Sequence, residues 1–591
     1  MSRSSSPVFG APRLLFFIVF GVLAYITLIP LAMLLFSTFS GDPSHLPFEA
    51  QTLSLANYVA TFAAAETYQL LWTTLVFAVC ATGLGIGLAV AVAWLVERTD
   101  IFGRQFIFAV MIAPMAIPGM IYAMAWTQLF NPTNGFINVT LTNAGLDWLT
   151  FDIFSLPGII VVQGIALSSH AYLLVAAPFR MLDPTWEEQS AIAGRGILST
   201  LRRITLPIMT PALLAAAIFF TIVSMETFDI PGTIGLTARI DVLSTKVYWL
   251  THPEGGQLPN YGMASTLALI LLAIAFGFIL LYRRQTRSAR RYVTVTGKAF
   301  RAKRISLGAW RWPVFALVCV YLVLASILPI AILIWRSLIP FYAYPSEMAL
   351  RMVSLKAYHG LLFQEGLGQV VWNTGVMGIT ASIATVALAS ITAWLVMHAP
   401  VHRRYRGWMN ALAFFPQAIP SIVIGLALVF FYLWIPNPIY GTVWIIALAM
   451  VTKYIAYSTG TMMAAHIQVS SDLEEASQIT GASWFRTYRR IYVPLLAPAL
   501  FSVSLWVFIH VVRELAVALM LYSPDSIVLS TQVWGLWEGG HVGQASALGV
   551  LTIAVLLLLL SVPSLLSATR LVVNRFRDSR VGQPSIAGAV D

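Results

Sequence analysis

The sequence predicts an all-α polytopic membrane protein with twelve transmembrane helices in two parallel six-helix repeats. Composition and internal repetition carry this prediction. Of the 591 residues, 59% are hydrophobic and only 10% are charged, whereas soluble domains carry about 25% charged residues. Such a chain cannot hide its apolar surface in a water-soluble core, so the lipid bilayer must act as its solvent.

Apolar runs of about 20 residues are long enough to cross about 30 Å of hydrocarbon as helices. The first run follows a short basic segment, exceeds the apolar region of a signal peptide and ends in no small-residue cleavage site, so we expect it to be retained. The twelve predicted spans are 14–36, 70–96, 107–130, 157–178, 208–228, 263–282, 314–335, 370–396, 408–434, 442–465, 495–516 and 544–567.

The distribution of charge predicts the orientation. The N-terminus, every second loop and the tail hold 28 of the 35 Lys and Arg residues but only 10 of the 24 Asp and Glu residues. Because cytoplasmic loops of membrane proteins are enriched in basic residues, we expect both termini in the cytoplasm. The net charge of +11 then reflects topology and contact with lipid head groups rather than nucleic acid binding.

Short motifs recur between the two halves of the chain. Ala93-Trp94-Leu95-Val96 returns at residues 393–396, and Pro114-Met115-Ala116-Ile117-Pro118 returns as Pro416-Gln417-Ala418-Ile419-Pro420. An even number of spans per half makes the repeat parallel, with a pseudo-two-fold axis along the membrane normal. The predicted units are a first half (1–282), a basic linker (283–313), a second half (314–569) and a cytoplasmic tail (570–591).

The longest repeat is polar and lies in the cytoplasmic loops 179–207 and 466–494. The first copy reads Glu187-Glu188-Gln189-Ser190-Ala191-Ile192-Ala193-Gly194. The second copy aligns with it without a gap and reads Glu474-Glu475-Ala476-Ser477-Gln478-Ile479-Thr480-Gly481, and Pro494 aligns with Pro207. Each copy predicts a short helix with acidic residues in its first turn, a sharp turn at glycine, and a second segment that the proline ends. An exposed elbow of this kind suits docking into a groove on a partner protein. The alternative is a pair of amphipathic connectors on the membrane, which usually have a basic polar face.

The polar repeat resembles the EAA loop of bacterial ABC importer permease proteins, of the binding-protein-dependent transport inner membrane component type. The first copy departs from the family pattern at Gln189 and Ser190. The resemblance implies that each loop seats in one copy of a cytoplasmic ABC ATPase subunit, two copies in all. The implied coupling residues are Glu187, Glu188, Gly194 and Pro207, with Glu474, Glu475, Ala476, Gly481 and Pro494.

The fusion of two halves resembles the iron(III) transport permeases in particular, as do Arg513-Glu514-Leu515 and Leu529-Ser530-Thr531-Gln532-Val533-Trp534. The expected function is therefore the inner membrane permease of an ATP-driven importer, with iron(III) as the leading solute and polyamine, thiamine or phosphonate as alternatives. The resemblance also implies a periplasmic solute-binding protein as a partner. A facilitator-type secondary transporter is a distant alternative, and a non-transporting scaffold or channel a further one.

The chain carries no nucleotide-binding or hydrolase fingerprint, and its two cysteines offer no metal-ligand spacing. We therefore expect no catalysis, metal or cofactor in this chain, with ATP and Mg²⁺ bound by the ATPase subunits. Ionisable residues near the outer ends of the fifth and eleventh spans are candidates for the translocation path: Glu226, Asp229, His510, Arg513 and Glu514. The alternative places them at the outer interface, solvated or paired locally. Lys453 and His170 are read as packing or snorkelling residues.

Overall fold

The computed structural model describes residues 10–42, 45–49, 52–253, 255–289, 304–363, 366–435 and 438–581. Within these ranges the chain is built of helices, with isolated bridges at Ser40–Leu53 and Thr99–Ile305 in place of any sheet. Among the described residues, ten helices are long and apolar enough to cross a membrane, or up to twelve if each of two bent helix pairs is one span. The prediction of an all-α polytopic membrane protein is confirmed.

The helices of the first half alternate long spans with short connecting segments. They are α1 (Gly10–Ser37), α2 (Ala56–Ala63), α3 (Ala65–Arg98), α4 (Arg104–Ile112), α5 (Gly119–Phe130), α6 (Phe136–Asn143), α7 (Leu156–Met181), α8 (Thr185–Ile192), α9 (Ile197–Thr200), α10 (Leu206–Glu226), α11 (Asp229–Ala238), α12 (Leu243–Thr251) and α13 (Tyr261–Ala289).

The second half repeats the same order. Its helices are α14 (Arg311–Leu322), α15 (Leu328–Leu338), α16 (Glu347–Arg351), α17 (Lys356–Leu362), α18 (Leu367–His398), α19 (Arg403–Phe414), α20 (Ser421–Trp434), α21 (Val443–Ile467), α22 (Ser471–Ile479), α23 (Trp484–Thr487), α24 (Val493–Arg513), α25 (Ala516–Leu521), α26 (Leu529–Glu538) and α27 (Val542–Val581).

The third and ninth predicted spans are not continuous helices, which corrects the sequence prediction. The chain bends by 105° between α4 and α5 and by 107° between α19 and α20. Pro118 has no N–H to donate and forces the preceding residue out of the helical region, so Ile117 is extended, with φ −85° and ψ 121°. Ile419 before Pro420 has nearly the same conformation, with φ −98° and ψ 118°.

The fifth and eleventh spans begin earlier than predicted, because Pro207 and Pro494 do not end the preceding segment. Helical structure runs without interruption over 197–226 and 484–513. One turn before each proline widens into a π-helix, Leu201–Thr205 and Tyr488–Tyr492. A wider turn moves away the carbonyl that a proline ring would strike in a regular α-helix, so the helix continues past the proline.

The two halves exchange their first spans. Helix α1 packs on α20 of the second half, where the rings of Tyr25 and Phe431 lie 5.5 Å apart. In return, the first span of the second half packs on α4 and α5, and the Tyr122 hydroxyl donates to the Ala325 carbonyl over 2.8 Å. The halves therefore interlock rather than standing side by side.

The predicted domain boundaries stay predictions, because residues 290–303 of the basic linker and 582–591 of the tail lie outside the described residues. On the outer surface of the helix bundle, large apolar side chains such as Phe17, Trp72 and Ile383 are more than half exposed. In a membrane-spanning bundle such side chains face lipid.

Candidate functional site

The two polar repeats form helix–turn–helix elbows of the same geometry. We call residues 185–205 the first elbow and residues 471–492 the second elbow. In the first, Gly194 has φ +73°, and the next N–H, that of Arg195, reaches back over 3.1 Å to the Ser190 carbonyl. In the second, Gly481 has φ +74° and the Ala482 N–H reaches Ser477 over 3.2 Å. These are Schellman turns, which require a left-handed residue and so favour glycine.

A pair of hydroxyls closes each elbow behind the turn. The side chains of Ser190 and Thr200 lie 2.8 Å apart in the first elbow. Ser477 and Thr487 lie 2.8 Å apart in the second. Both pairs join the first helix of the elbow to the second, so each elbow is a small folded unit and not a flexible connector.

The start of the first elbow is fixed by a local carboxylate. Asp183 accepts from the Thr185 hydroxyl over 2.6 Å and from the Thr185 N–H over 3.0 Å. These two hydrogen bonds stabilise the ionised form, and they hold the pKa of the Asp183 carboxyl below its ordinary value. Helix α8 therefore starts beside a charge that matches the positive end of its dipole.

Glu187 attaches the first elbow to the membrane bundle. One of its carboxylate oxygens pairs with Arg98 at the end of α3, and the other accepts from the Thr205 hydroxyl over 2.9 Å. The Arg98 and Glu187 side chains are only 2% and 6% exposed. We call this group, Arg98, Glu187 and Thr205, the first root.

Glu474 does the same for the second elbow with different partners. It accepts from the Tyr492 hydroxyl over 2.7 Å. Its carboxylate also lies 3.6 Å from Nε2 of His398, at the end of α18. We call His398, Glu474 and Tyr492 the second root. Glu187 and Glu474 were predicted as coupling residues. In the structure both carboxylates point toward the helix bundle and form the contacts of the two roots.

The exposed surface of the elbows is formed by other residues. Glu188, Glu475 and Ala476 are exposed, as a docking role requires. Ile192 and Ile479 were missed by the sequence analysis, although each is 86% exposed beside its glycine. The two isoleucines are 287 residues apart, at the same position of the repeat. An apolar residue conserved at one position of two polar segments could have indicated a contact surface.

Apolar exposure continues around each elbow at matching positions. Trp186 and Leu198 are about half exposed in the first, as are Leu473 and Phe485 in the second. An exposed apolar surface of this kind, repeated outside the bundle core, marks an interaction site. Pro207 and Pro494 do not belong to it, since they are the second residues of α10 and α24.

The predicted translocation residues gather where the halves meet. Arg513, at the end of α24, donates to the Ile117 carbonyl over 3.1 Å and to the Met115 carbonyl, both in the bent span of the other half. Asp229 lies against Gly119, because a Cβ added to that glycine would approach the Asp229 carboxylate to 2.7 Å. Glu226 occupies the repeat position of Arg513 in the first half, so the two equivalent helix ends carry opposite charges.

Lys453 belongs to this group and makes the helix-packing hydrogen bonds that one of its two interpretations expected, rather than snorkelling to the interface. Its ammonium pairs with Glu514 and also donates to the Ser421 hydroxyl. The Tyr454 hydroxyl donates to the same Glu514 oxygen over 3.3 Å. Glu226 lies within electrostatic range of both Lys453 and Glu514. We call Glu226, Asp229, Lys453, Arg513 and Glu514 the interhalf cluster.

The two histidines beside the cluster are held by their own helices. His510 Nδ1 lies 2.8 Å from the Trp506 carbonyl, and the two rings stack 3.7 Å apart. His170 Nδ1 lies 3.3 Å from the Ala166 carbonyl, as the packing interpretation expects. In the described part of the chain, no group of three or more His, Cys, Asp or Glu residues could hold a metal ion.

A second repeat borders the cluster, and the sequence analysis recognised only one copy of it. Residues 242–248 read Val-Leu-Ser-Thr-Lys-Val-Tyr, and residues 528–534 read Val-Leu-Ser-Thr-Gln-Val-Trp. Ser244 donates to the Thr227 carbonyl over 2.7 Å, and Ser530 donates to the Glu514 carbonyl over 2.8 Å. These serine hydrogen bonds hold helices α12 and α26 against the ends of α10 and α24 that carry residues of the interhalf cluster.

Comparison with known proteins shows what the chain resembles. Residues 385–577 match the model described as "Binding-protein-dependent transport system inner membrane component". The Fe(3+)-transport system permease protein FbpB 2 of Haemophilus influenzae is 24% identical over 531 residues, which cover 88% of this chain and 94% of that protein. The ferric transport system permease protein FbpB of Actinobacillus pleuropneumoniae is also 24% identical, over 81% of this chain and 68% of its own length.

A shorter relative aligns with a single half. The putative 2-aminoethylphosphonate transport system permease protein PhnV of Salmonella typhimurium is 26% identical over 237 residues, which cover 39% of this chain but 88% of the relative. A relative of half the length matches the tandem arrangement seen in the helices. The chain therefore resembles the inner membrane permeases of binding-protein-dependent transport systems, by the family model over residues 385–577 and by permease relatives over most of its length.

Proposed function

We propose that this chain is the transmembrane permease subunit of an ATP-driven importer that moves a small solute by alternating access. The observation that carries the proposal is the pair of elbows with the same Schellman turn and an isoleucine 86% exposed beside it. Each elbow presents one exposed isoleucine on the same folded turn, so the two elbows suit two copies of one partner subunit. Each partner is a cytoplasmic ABC ATPase that binds ATP and Mg²⁺, so this chain performs no catalysis.

The structure supplies a direct route from each elbow to the interhalf cluster. The second helix of the first elbow runs unbroken into α10, over residues 197–226, which is roughly 45 Å of helix at 1.5 Å per residue. It carries the elbow at one end and Glu226 at the other. Residues 484–513 do the same for the second elbow and Arg513. Drawing the elbows together on ATP binding would therefore shift the two ends of the cluster relative to each other.

The cluster is suited to act as the gate of the translocation path. Arg513 ties one half to the bent span of the other through two carbonyls, and charged residues inside a bundle mark ion and substrate pathways. Opening the path requires these interhalf bonds to break. The His510 carbonyl borders this gate, because the Tyr454 hydroxyl lies 3.2 Å from it and 3.3 Å from Glu514.

The proposed setting is the bacterial inner membrane with both termini in the cytoplasm, as the basic bias of the loops indicates. The cluster end of α10 and α24 then lies toward the periplasm, where a solute-binding protein delivers the solute. Iron(III) is the proposed solute, because the two relatives that match most of this chain are named as Fe(3+) or ferric permeases. Phosphonate is the alternative that the shorter relative favours, and polyamine and thiamine remain expectations from the family resemblance.

Uptake of radiolabelled iron(III) by cells that express the chain with its genomic neighbours tests the energy source and the solute together. Depleting ATP should abolish uptake, whereas a protonophore that leaves ATP intact should not. Excess 2-aminoethylphosphonate should not compete. Loss of uptake with the protonophore alone would favour a facilitator-type secondary transporter, and competition by the phosphonate would contradict the iron(III) assignment.

Replacing the exposed isoleucines tests the docking surface. Ile192→Ser and Ile479→Ser each remove a side chain whose burial contributes about 1.5–3 kcal/mol, so the amount of ATPase that co-purifies should fall by about tenfold. Trp148→Ser, at a residue 78% exposed on another loop, is the matched control and should retain the ATPase. Equal retention in all three variants would contradict docking through the elbows.

A further inference from the structure

Each half carries a short helix between its first two spans, α2 in the first half and α17 in the second. The two are copies of one segment, since residues 54–58 read Ser-Leu-Ala-Asn-Tyr and residues 354–358 read Ser-Leu-Lys-Ala-Tyr. The proposed orientation places both on the periplasmic side. We call α2 and α17 the outer helices.

Each outer helix is fastened to the end of the first span of its half. The Tyr58 hydroxyl lies 2.9 Å from the Thr38 hydroxyl, and the Tyr358 hydroxyl lies 2.8 Å from that of Ser337. Ala64, with φ −77° and ψ 120°, interrupts the helix between α2 and α3, and α17 likewise ends before α18 begins. The outer helices are therefore separate elements that do not extend the second spans.

The inner face of α2 is polar. Asn57 and Thr61, one turn apart, are 5% and 0% exposed. The Asn57 amide donates to the Thr38 carbonyl over 3.1 Å and to the Ser40 carbonyl over 2.8 Å. Because a buried amide requires such partners, these hydrogen bonds fix which face of α2 lies against the bundle.

The outer face of α2 is apolar. Leu55, Val59 and Phe62 follow the helical spacing i, i+4 and i+7, and they are 60%, 66% and 47% exposed. A helix on the surface of a soluble protein has its polar residues outside and its apolar stripe inside. The reversed polarity of α2 indicates that an apolar medium, and not water, covers its outer face.

The apolar face of α2 continues onto the lipid-facing surface of the bundle. Tyr68 and Trp72, near the start of α3, are 55% and 67% exposed, and Trp372 at the repeat position on α18 is also 67% exposed. Tyrosine and tryptophan concentrate where hydrocarbon meets the lipid head groups. These aromatic side chains mark the outer membrane interface, and α2 lies directly ahead of it in the chain.

The second outer helix combines an apolar face with basic residues. Leu355 and Leu362 are 66% and 68% exposed. Lys356 and His359 are also exposed, at the repeat positions where α2 has alanine and valine. A lysine on an apolar surface keeps its methylenes among acyl chains and extends its ammonium to the head groups.

We propose that the outer helices are interfacial helices that bind phospholipid of the outer leaflet. The apolar face of α2 contacts the acyl chains, and α17 adds a contact between Lys356 and the head-group phosphate. Through Asn57, Tyr58 and Tyr358 they hold the ends of the two exchanged first spans at this interface. The side of the membrane rests on the proposed orientation, whereas the contact with lipid does not.

Spin labels on the full chain in phosphatidylcholine nanodiscs test the medium around α2. Cys80 and Cys319 are replaced by alanine, and a nitroxide is attached to Val59→Cys or to Phe62→Cys. Oxygen concentrates in hydrocarbon and a nickel chelate stays in water. The ratio of oxygen to nickel accessibility at both positions should exceed, several-fold, that of Asn134→Cys in the polar loop before α6. A ratio equal to that of Asn134→Cys would overturn the proposal, because the face would then lie in water and be free for a protein partner.

Lipid retention tests the contact at α17. Native mass spectrometry of the full chain, released from nanodiscs that contain phosphatidylglycerol, counts the lipids that stay bound. One basic residue near the membrane surface contributes about 1 kcal/mol, so Lys356→Gln should weaken retention about fivefold. Lys246→Gln, at a lysine that faces Asp241 at 3.6 Å, is the matched control and should retain the lipid. Equal retention in wild type and Lys356→Gln would overturn the phosphate contact.

The side of the membrane is tested separately. A thiol reagent that cannot cross the membrane should label Asn134→Cys in intact spheroplasts. Absence of labelling, with label accessible after lysis, would contradict the proposed orientation and leave the lipid contact of the outer helices in place.

Discussion

Removing the carboxylate of the first root should destabilise the protein much more than removing that of the second. Glu187→Ala deletes the partner of a guanidinium whose side chain is 2% exposed, and it also deletes the acceptor of the Thr205 hydroxyl. What remains for Arg98 is the Leu182 carbonyl. Leaving a buried charge without its counter-ion costs about 3–5 kcal/mol.

The same change in the second root should cost less. Glu474→Ala removes the acceptor of the Tyr492 hydroxyl and the carboxylate beside His398. The His398 side chain is 25% exposed, whereas the buried Tyr492 hydroxyl loses its acceptor, so the expected cost is about 1–3 kcal/mol. Glu188→Ala, at an exposed neighbour on the same helix, should change stability by less than about 0.5 kcal/mol.

Thermal unfolding of the purified variants in detergent, followed by tryptophan fluorescence, measures this order. The midpoint should fall most for Glu187→Ala, less for Glu474→Ala and hardly at all for Glu188→Ala. Replacing both charged partners, as in Arg98→Met with Glu187→Leu, should recover most of the loss. An unfolding midpoint for Glu187→Ala equal to that of Glu188→Ala would refute the buried attachment.

Two further changes test the turn and the interhalf cluster. Gly194→Ala places a side chain at φ +73° and should cost about 1–2 kcal/mol, so protease cleavage at the first elbow should accelerate; Gly196→Ala, at φ −68°, should not accelerate it. Lys453→Met leaves the Glu514 carboxylate without its ammonium partner. The free energy of unfolding should fall by about 3 kcal/mol, and the unfolding midpoint should fall with it. Adding Glu514→Gln should restore much of that loss, and no restoration would show that the two residues do not act as a pair.

Local chemistry made the turns of the elbows predictable. Gly194 and Gly481 were expected to end a short helix, and both lie at the left-handed position of a Schellman turn. The spacing of acidic residues and glycine is a property of adjacent residues, so no tertiary contact was needed to read it. Hydropathy likewise located the membrane segments, because every segment that crosses the bilayer must be apolar enough for the same lipid environment.

Proline was harder to interpret, since its effect depends on the backbone before it. Pro118 and Pro420 bend a predicted span by more than 100°, whereas Pro207 and Pro494 leave the helix continuous. The second pair follows a π turn, and the first pair follows an extended residue. Apolarity alone is the same in both cases, so a hydropathy window cannot tell them apart.

Pairings between distant residues could not be read from spacing. Lys453 and Glu514 are 61 residues apart, so their spacing gave no reason to pair them. Arg98 and His398 share the offset of 300 of the Ala-Trp-Leu-Val repeat, but nothing in the sequence shows that each faces the first glutamate of its elbow. The repeated Val-Leu-Ser-Thr segments, by contrast, could have been found by comparing the halves more fully.

The number of ATPase subunits bound to one chain tests the central claim most directly. The complex would be purified through a tag on this chain and weighed intact by native mass spectrometry. Because each half presents one elbow, we predict one permease chain with two copies of the ATPase subunit. A complex with a single ATPase copy, or a chain that retains none under conditions that preserve uptake, would contradict the account.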